Sequence, residues 1–266
     1  MKSQQSFGTW PSVISSEIVA GAAPKISCIQ SYKDQLFWVE SRPQESGRNV
    51  IVSQNKDGIT KDLLPAPYSH ASRVHEYGGM AYTLSENTIY FVNASDQRIY
   101  QIDIGSGQAK PITEQGPRFA DLAMDNNNNR LIAVCEQHNN SGEPENYLAA
   151  ISLDKANPKP QRLASGADFY AYPRISPNGK KLCWIEWNHP DMPWDSTQLY
   201  CADNHNTLSN PYLVAGADNN EAIFQPQWSP DNQLYYISDR DNWWNIYSAD
   251  KGIVLAMPAE FATPLW

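Results

Sequence analysis

Short apolar runs, each opened by polar or turn-forming residues, recur along the chain at a nearly constant spacing. Five of them align: DQLFWVE (34–40), NTIYFVN (87–93), NRLIAVC (129–135), KKLCWIE (180–186) and NQLYYIS (232–238). Their starts are 53, 42, 51 and 52 residues apart, close to the ~40–50-residue period of propeller blades. The runs are short and rich in β-branched and aromatic residues, so we predict that each is a strand.

Each run lies between further segments with strand character. Before the fourth and fifth runs stand the turn sequences Ser-Pro-Asn-Gly (176–179) and Ser-Pro-Asp-Asn (229–232), and an Asn run precedes the third. After the runs come third strands, at 49–55, 98–104, 146–153, 197–203 and 245–251. Weaker fourth strands follow in several units, at 110–114, 161–165 and 211–216. Every unit is therefore predicted to be a four-stranded antiparallel meander.

One such unit cannot bury both of its faces, whereas radial stacking covers them and limits exposed edges. We therefore predict an all-β chain, a β-propeller of four-stranded antiparallel blades with about five blades present and an incomplete ring. A β-sandwich is the alternative, but it requires no fifty-residue period. An N-terminal segment (1–24) is expected before the propeller (25–266). The expected blades are approximately 25–70, 74–115, 117–166, 168–217 and 221–256, with the start of a sixth at 257–266.

Net charge and composition exclude several classes of binding partner. The net charge of −9 argues against nucleic acid and anionic membranes as partners, because both select basic surfaces. No apolar run approaches the ~20 residues of a membrane helix, and no apolar stretch follows the N-terminal MKSQQ. We therefore expect a cytoplasmic protein. The four cysteines show no C-x-x-C spacing and lie among strand residues, which favours buried thiols over disulfides or a metal site.

Several motifs carry a family resemblance. They are FGTWPSVIS (7–15), SRPQESGRNV (41–50), RVHEYGG (73–79), SDQRIY (95–100), and the long stretches 165–195 and 223–247. With these the whole chain resembles the N-terminal propeller of bacterial prolyl oligopeptidase-family serine peptidases, of the dipeptidyl aminopeptidase and acylaminoacyl peptidase type. The resemblance implies seven blades and a C-terminal α/β-hydrolase domain that carries a Ser, Asp and His triad. It also implies that the propeller screens peptide substrates.

The chain departs from that family in two respects. It contains no Gly-x-Ser-x-Gly nucleophile elbow, and we expect the last one or two blades of the family's propeller to be missing from it. We therefore assign no catalytic residue to it and expect neither a cofactor nor a metal. The expected partners are peptide substrates and the chain's own C-terminal hydrolase domain. Self-association into a homo-oligomer is left open.

The RVHEYGG segment is the sharpest candidate site. Arg73, His75 and Glu76 are predicted to face the substrate path, where Glu76 could receive a peptide's amino group through a charge-assisted hydrogen bond. The alternative is a structural ion pair at a blade junction, where Gly78 and Gly79 let backbones approach closely.

Two loops offer weaker candidates. In WNHPDMPWD (187–195), Asn188 and His189 are predicted to contact substrate, although two prolines make a self-packed loop equally consistent. In SDRDNWWNIY (238–247), we expect an Asp and Arg that tie the blade together and a Trp pair that packs between blades.

Three functions compete at this stage. The first is a substrate-gating domain of a serine peptidase, and the second is a stand-alone TolB-like scaffold for protein interactions. The third, a metal-dependent lactonase, ranks last because no acidic position repeats at the starts of the inner strands. A reading frame that continues into a hydrolase domain would separate the first two.

Overall fold

The computed structural model describes residues 4–9, 12–21, 23–80, 82–218 and 220–262, apart from the side chains of Glu17 and Ala20. The chain divides into two compact units, Met1–Asp62 and Leu63–Trp266. The predicted all-β propeller architecture is confirmed, with five sheets of four antiparallel strands in meander order. Among the described residues, no helix is long and apolar enough to cross a membrane.

The first unit contains a short helix and the first blade. The helix α1 spans Ser16–Ala20. Blade 1 consists of β1 to β4: Lys25–Tyr32, Gln35–Arg42, Arg48–Gln54 and Thr60–Asp62. Arg42 joins its second and fourth strands, because its guanidinium donates to both carboxylate oxygens of Asp62 at 2.5 and 2.6 Å.

The second unit contains the other four blades. Blade 2 consists of β5 to β8: Tyr82–Ser85, Thr88–Val92, Ile99–Asp103 and Ala109–Pro111. Blade 3 consists of β9 to β12: Arg118–Asp125, Arg130–Gln137, Glu145–Ser152 and Gln161–Ser165. Blade 4 consists of β13 to β16: Phe169–Ile175, Lys181–Trp187, Gln198–Asn204 and Leu208–Ala215. Blade 5 consists of β17 to β20: Ile223–Trp228, Leu234–Ser238, Asn245–Ser248 and Gly252–Leu255.

The five aligned sequence runs become the second strand of each blade. In blade 3 the apolar residues of this strand face blade 2 on one side and blade 4 on the other, and the strand is buried from Arg130 to Glu136. In the second unit, separate apolar clusters fill the spaces between blades 2 and 3, 3 and 4, and 4 and 5. Stacking of blades, rather than folding of any one sheet, thus provides the core.

One end of the second unit, which we call the turn end, is formed by the turns between first and second strands. These turns are hydrogen-bonded from blade to blade. Ser85 Oγ donates to Asn126 Oδ1 at 3.2 Å, and Asn127 Nδ2 donates to the Asn178 carbonyl at 3.0 Å. The Asn178 amide in turn donates to Asn232 Oδ1 at 3.0 Å. The Asn-rich turns read from the sequence therefore also connect neighbouring blades.

The opposite end, the loop end, carries the loops between second and third strands and the links between blades. Here Ser72 Oγ donates to the Phe119 carbonyl at 2.7 Å, and the Thr197 amide donates to the Glu221 carbonyl at 3.0 Å. The candidate residues identified from the sequence all lie at this end.

First strands carry a bulge that the sequence did not reveal. Pairing with the second strand shifts register in blades 1, 3, 4 and 5. One residue at each shift has a positive φ near 50°, namely Cys28, Asp121, Tyr172 and Gln225. None of these is a glycine, so no turn signal marked them.

The tail after blade 5 lies where the sequence predicts the opening strand of a sixth blade. Residues 257–262 contain no strand and fold back on the loop end of blade 5. The Trp244 amide donates to Glu260 Oε2 at 2.7 Å, and the Phe261 amide donates to the Trp244 carbonyl at 2.8 Å. Residues 263–266 of that prediction lie outside the described residues.

Candidate functional site

The RVHEYGG segment forms a tight turn in the link that leads to β5. His75 and Glu76 adopt left-handed backbone conformations, with φ of 53° and 64°, and Gly78 follows at 86°. The Gly78 amide donates to the Val74 carbonyl at 2.8 Å. A Cβ on Gly78 would lie 2.7 Å from the Ser72 carbonyl oxygen, so the predicted close backbone approach is present at this glycine.

A buried carboxylate, Glu136 at the end of β10, anchors this turn. Its Oε2 accepts the His75 amide at 2.6 Å. Its Oε1 contacts Arg118 Nη1 at 3.1 Å and His138 Nε2 at 2.6 Å. A buried charge needs such partners. Sequence reasoning missed Glu136, Arg118 and His138 because they belong to the next blade.

Glu76 presents its carboxylate to solvent at the loop end, with 76% of its side chain exposed. Its Oε1 accepts a hydrogen bond from Arg118 Nη1 at 2.6 Å, and this contact lowers the pKa of the carboxyl. The same guanidinium nitrogen donates to the Arg73 carbonyl at 2.8 Å. The cation paired with Glu76 is thus Arg118 of blade 3. The side chain of Arg73 is exposed.

Glu76, Glu136 and His138 also form a group whose ligand atoms lie within 4.8 Å of one another. Such a trio could hold a metal ion on donor chemistry alone. However, Arg118 Nη1 contacts both carboxylates, so a guanidinium already provides positive charge there. The arrangement therefore fits an ion-pair network better than a cation site.

The His75 ring is enclosed by aromatic rings. It meets Phe169 and Trp187 edge to face, with centroids 5.2 and 5.6 Å away. Burial lowers its pKa to about 4, so the imidazole is neutral near pH 7. Nδ1 lies 3.3 Å from the Tyr77 hydroxyl. An Nδ1 that accepts from the Tyr77 hydroxyl, with the proton on Nε2, satisfies this contact. Nε2 itself has no hydrogen-bond partner among the described residues.

Asn188 and His189 lie in the loop between β14 and β15, as predicted. Asn188 Oδ1 accepts the Asp168 amide at 2.8 Å. Asp168 Oδ2 accepts the His189 amide at 2.9 Å and lies 3.1 Å from His189 Nδ1. These bonds lower the pKa of the Asp168 carboxyl. The loop is thus fastened to the preceding link, while the His189 side chain stays 60% exposed.

Phe169 brings the two predicted groups together. Its ring stacks on Trp187 at 5.2 Å, meets His75 on one side, and lies 4.9 Å from the His189 ring. The result is an aromatic wall with a carboxylate, Glu76, on the adjoining turn. Such a wall can pack apolar groups, and the carboxylate can accept a hydrogen bond from an ammonium group.

The third candidate segment, 238–247, is mainly structural. Arg240 donates to Glu221 Oε2 at 3.0 Å, and Asp239 Oδ1 accepts the Ala222 amide at 2.7 Å, so both tie the blade as expected. Trp244 packs on Phe224 at 4.8 Å. The prediction for Trp243 was wrong, because this side chain is 41% exposed at the loop end instead of packed between blades.

Comparison with known proteins places this geometry in a family. The structure of a Mycobacterium tuberculosis puromycin-hydrolyzing peptidase matches 100% of this chain with 34% sequence identity and a TM-score of 0.87. A puromycin hydrolase structure also matches 100% of the chain, with 29% identity and a TM-score of 0.89. The chain is a propeller of the prolyl oligopeptidase family of peptidases. The predicted resemblance is confirmed.

Other comparisons set the limits of this assignment. The chain spans only 44% of each of these two peptidase chains. TolB from Acinetobacter baumannii matches 82% of the chain at 16% identity with a TM-score of 0.55, which shows a shared fold alone. No family model and no curated protein matches the sequence.

Proposed function

We propose that this chain is the substrate-gating propeller of a serine peptidase, and that it positions short peptides for a C-terminal α/β-hydrolase domain. The observation that carries the proposal is the match to puromycin-hydrolyzing peptidases over the full length of the chain. The chain has no nucleophile elbow, so the proposal assigns chemistry to the hydrolase domain and substrate selection to the propeller. A cytoplasmic enzyme is part of this proposal.

We propose the loop end as the face towards the hydrolase domain. Four large apolar side chains are exposed there: Tyr77, Met192, Trp194 and Trp243, at 39–44% relative exposure. Aromatic and methionine side chains are enriched where protein surfaces meet. The turn end is instead built from Asn, Ser and Pro turns that hydrogen-bond to one another. A buried interface therefore fits the loop end better.

In this arrangement Glu76 faces the peptide. Its second carboxylate oxygen can accept a substrate's ammonium group while Arg118 holds the first. The partly buried Phe169 ring, which stacks on the buried Trp187, and the exposed His189 ring would pack against the first side chain of the peptide. Arg73, Asn188 and His189 would border the path.

The test is to express the complete reading frame that contains this sequence. We expect a serine outside this chain to be labelled by a fluorophosphonate, together with hydrolysis of aminoacyl amides and short peptides. The purified 266-residue chain should hydrolyse none of them. A complete frame that lacks a hydrolase domain, or serine-dependent turnover by the 266-residue chain itself, would contradict the proposal.

A further inference from the structure

A small cavity lies between the inner parts of blades 3 and 4 in the second unit. It is lined by the 74–78 turn, by Ala120 and Asp121 of β9, and by Tyr170 to Tyr172 of β13. Its volume is about 10 Å³, approximately the space that one water molecule requires. An apolar cavity of this size would stay empty, so the polar atoms around it decide what it holds.

Three residues that line this cavity have a buried polar atom without a hydrogen-bond partner among the described residues: His75 Nε2, Asp121 Oδ1 and the Tyr172 hydroxyl. The side chains of Asp121 and Tyr172 are the most deeply buried of the three, at 2% exposure each. Two other polar atoms of Asp121 have hydrogen-bond partners. Its amide donates to the Met80 carbonyl at 2.5 Å, and Oδ2 accepts the Tyr172 amide at 2.8 Å. Buried polar atoms are nearly always hydrogen-bonded, to protein or to ordered water.

We infer that this cavity binds one water molecule, which donates to Asp121 Oδ1 and accepts from the Tyr172 hydroxyl. Water suits both atoms because it donates and accepts at once. A metal cation fits less well, because Arg174 Nη2 lies 3.7 Å from Asp121 Oδ1 and would repel it. The inference is independent of the proposed peptidase role.

The water site lies where three pieces of chain meet. Asp121 contacts the link through Met80 and blade 4 through Tyr172, while its own strand belongs to blade 3. The link segment that ends at Met80 contains the RVHEYGG turn. A bound water at Asp121 therefore helps hold this turn against the inner strands.

The sign of one stability change tests the inference. In a dry cavity, Tyr172→Phe removes an unsatisfied buried hydroxyl and should leave the protein equally or more stable. With the water present, the same change deprives the water of a donor, and the unfolding constant should rise about 5-fold. Tyr170→Phe is the matched control. Its hydroxyl accepts the Ala167 amide at 2.9 Å, so its loss should destabilise the fold in either case.

Urea titrations of the 266-residue chain and the two variants measure this change, and crystal structures of the wild type and Tyr172→Phe locate the occupant. Two results together support the inference. The wild-type crystal shows an electron-density peak about 2.5–3.0 Å from both Asp121 Oδ1 and the Tyr172 oxygen. The Tyr172→Phe variant is less stable than the wild type, and its peak is weakened or lost. The inference is overturned by an empty wild-type cavity, by a metal-like peak with shorter contacts, or by a Tyr172→Phe variant as stable as the wild type.

Discussion

At the scale of single residues, the loop end depends on one buried carboxylate. Glu136 accepts from the His75 amide, from Arg118 and from His138, so three elements of chain meet at two oxygens. Arg118 in turn reaches outward to Glu76. The exposed acid is therefore held in place by a buried one, which gives Glu76 a fixed position without burying it.

Glu76→Gln in the full-length enzyme tests whether that position serves substrate. The change keeps the shape and removes the charge, so kcat/KM should fall ~10-fold or more for substrates with a free amino terminus. Substrates with a blocked amino terminus should be almost unaffected. Glu143→Gln is the control, because Glu143 is an exposed acid in the neighbouring loop.

The outcomes separate two roles of Glu76. A parallel loss for both substrate classes, together with lower thermal stability, would make the residue only a structural partner of Arg118. No change in either class would place it outside the substrate path.

His75 should make the fold sensitive to acid. Its pKa is about 4 in the folded chain, against 6.5 for an ordinary histidine. Above pH 6.5 it is neutral in both states. Between pH 6.5 and 4 the unfolded chain binds the proton first, so the free energy of unfolding falls as the pH falls, by up to about 3 kcal/mol.

The pKa of His70 is also about 4, and carboxyl groups titrate in the same pH range. The contribution of His75 must therefore be measured as the difference in pH dependence between a His75 variant and the wild type. Urea unfolding at several pH values from 4.5 to 7 should show a shallower pH dependence for His75→Gln than for wild type. His205→Gln, at an exposed position, should keep the wild-type slope. Equal slopes for all three proteins would show that His75 is not buried in the neutral form.

At the scale of elements, the second and third strands were predictable because their apolar positions alternate or run continuously. The third strands of blades 3 and 4, expected at 146–153 and 197–203, are observed at Glu145–Ser152 and Gln198–Asn204. The first-strand bulges were not predictable, since Asp121 and Tyr172 take positive φ without the glycine that would announce it. Their conformation is imposed by contacts between blades, including the Tyr172 amide to Asp121 Oδ2.

In the candidate site, too, some residues were predictable from the sequence and others were not. The sequence identified His75, Glu76, Asn188 and His189 because each lies in an unusual cluster within one loop. It could not identify Glu136 or Arg118, which sit at the ends of ordinary strands of blade 3. Which side chains of two blades contact each other depends on how those blades stack. The spacing of the sequence repeat does not reveal the rotation from one blade to the next.

Gly78→Ala tests the close approach in the RVHEYGG turn. A Cβ at this position combines a positive φ with a 2.7 Å contact to a backbone oxygen, which cannot move as a side chain can. Gly142→Ala is the control, because its φ is also positive, at 87°, but nothing lies within 4 Å of a Cβ there. The control should lose roughly 1–2 kcal/mol of stability from the backbone conformation alone.

Gly78→Ala should lose clearly more than the control in urea titrations of the 266-residue chain. It should also disturb the His75 amide contact to Glu136. Equal losses in the two variants would mean that the turn has room to relax and that Ser72 does not restrict it.

At the scale of the whole molecule, two observations favour the role of an accessory domain: the structural match to larger peptidases and the different character of the two ends. The chain aligns over its entire length with peptidases of which it spans 44%. Its second unit has a loop end with exposed aromatic and methionine side chains and a turn end built from polar turns. A propeller with two such different ends suits a role as a cover over a second domain, which is the central claim of the proposed function.

The most direct test of that claim is the dependence of kcat/KM on peptide length in the full-length enzyme. Substrates with the same first residues and free amino termini would extend from a dipeptide amide to a denatured protein. We expect high kcat/KM for short peptides, a steep decline as length increases, and no cleavage of the denatured protein. Efficient cleavage of the denatured protein, with a kcat/KM comparable to that of the dipeptide amide, would contradict the account.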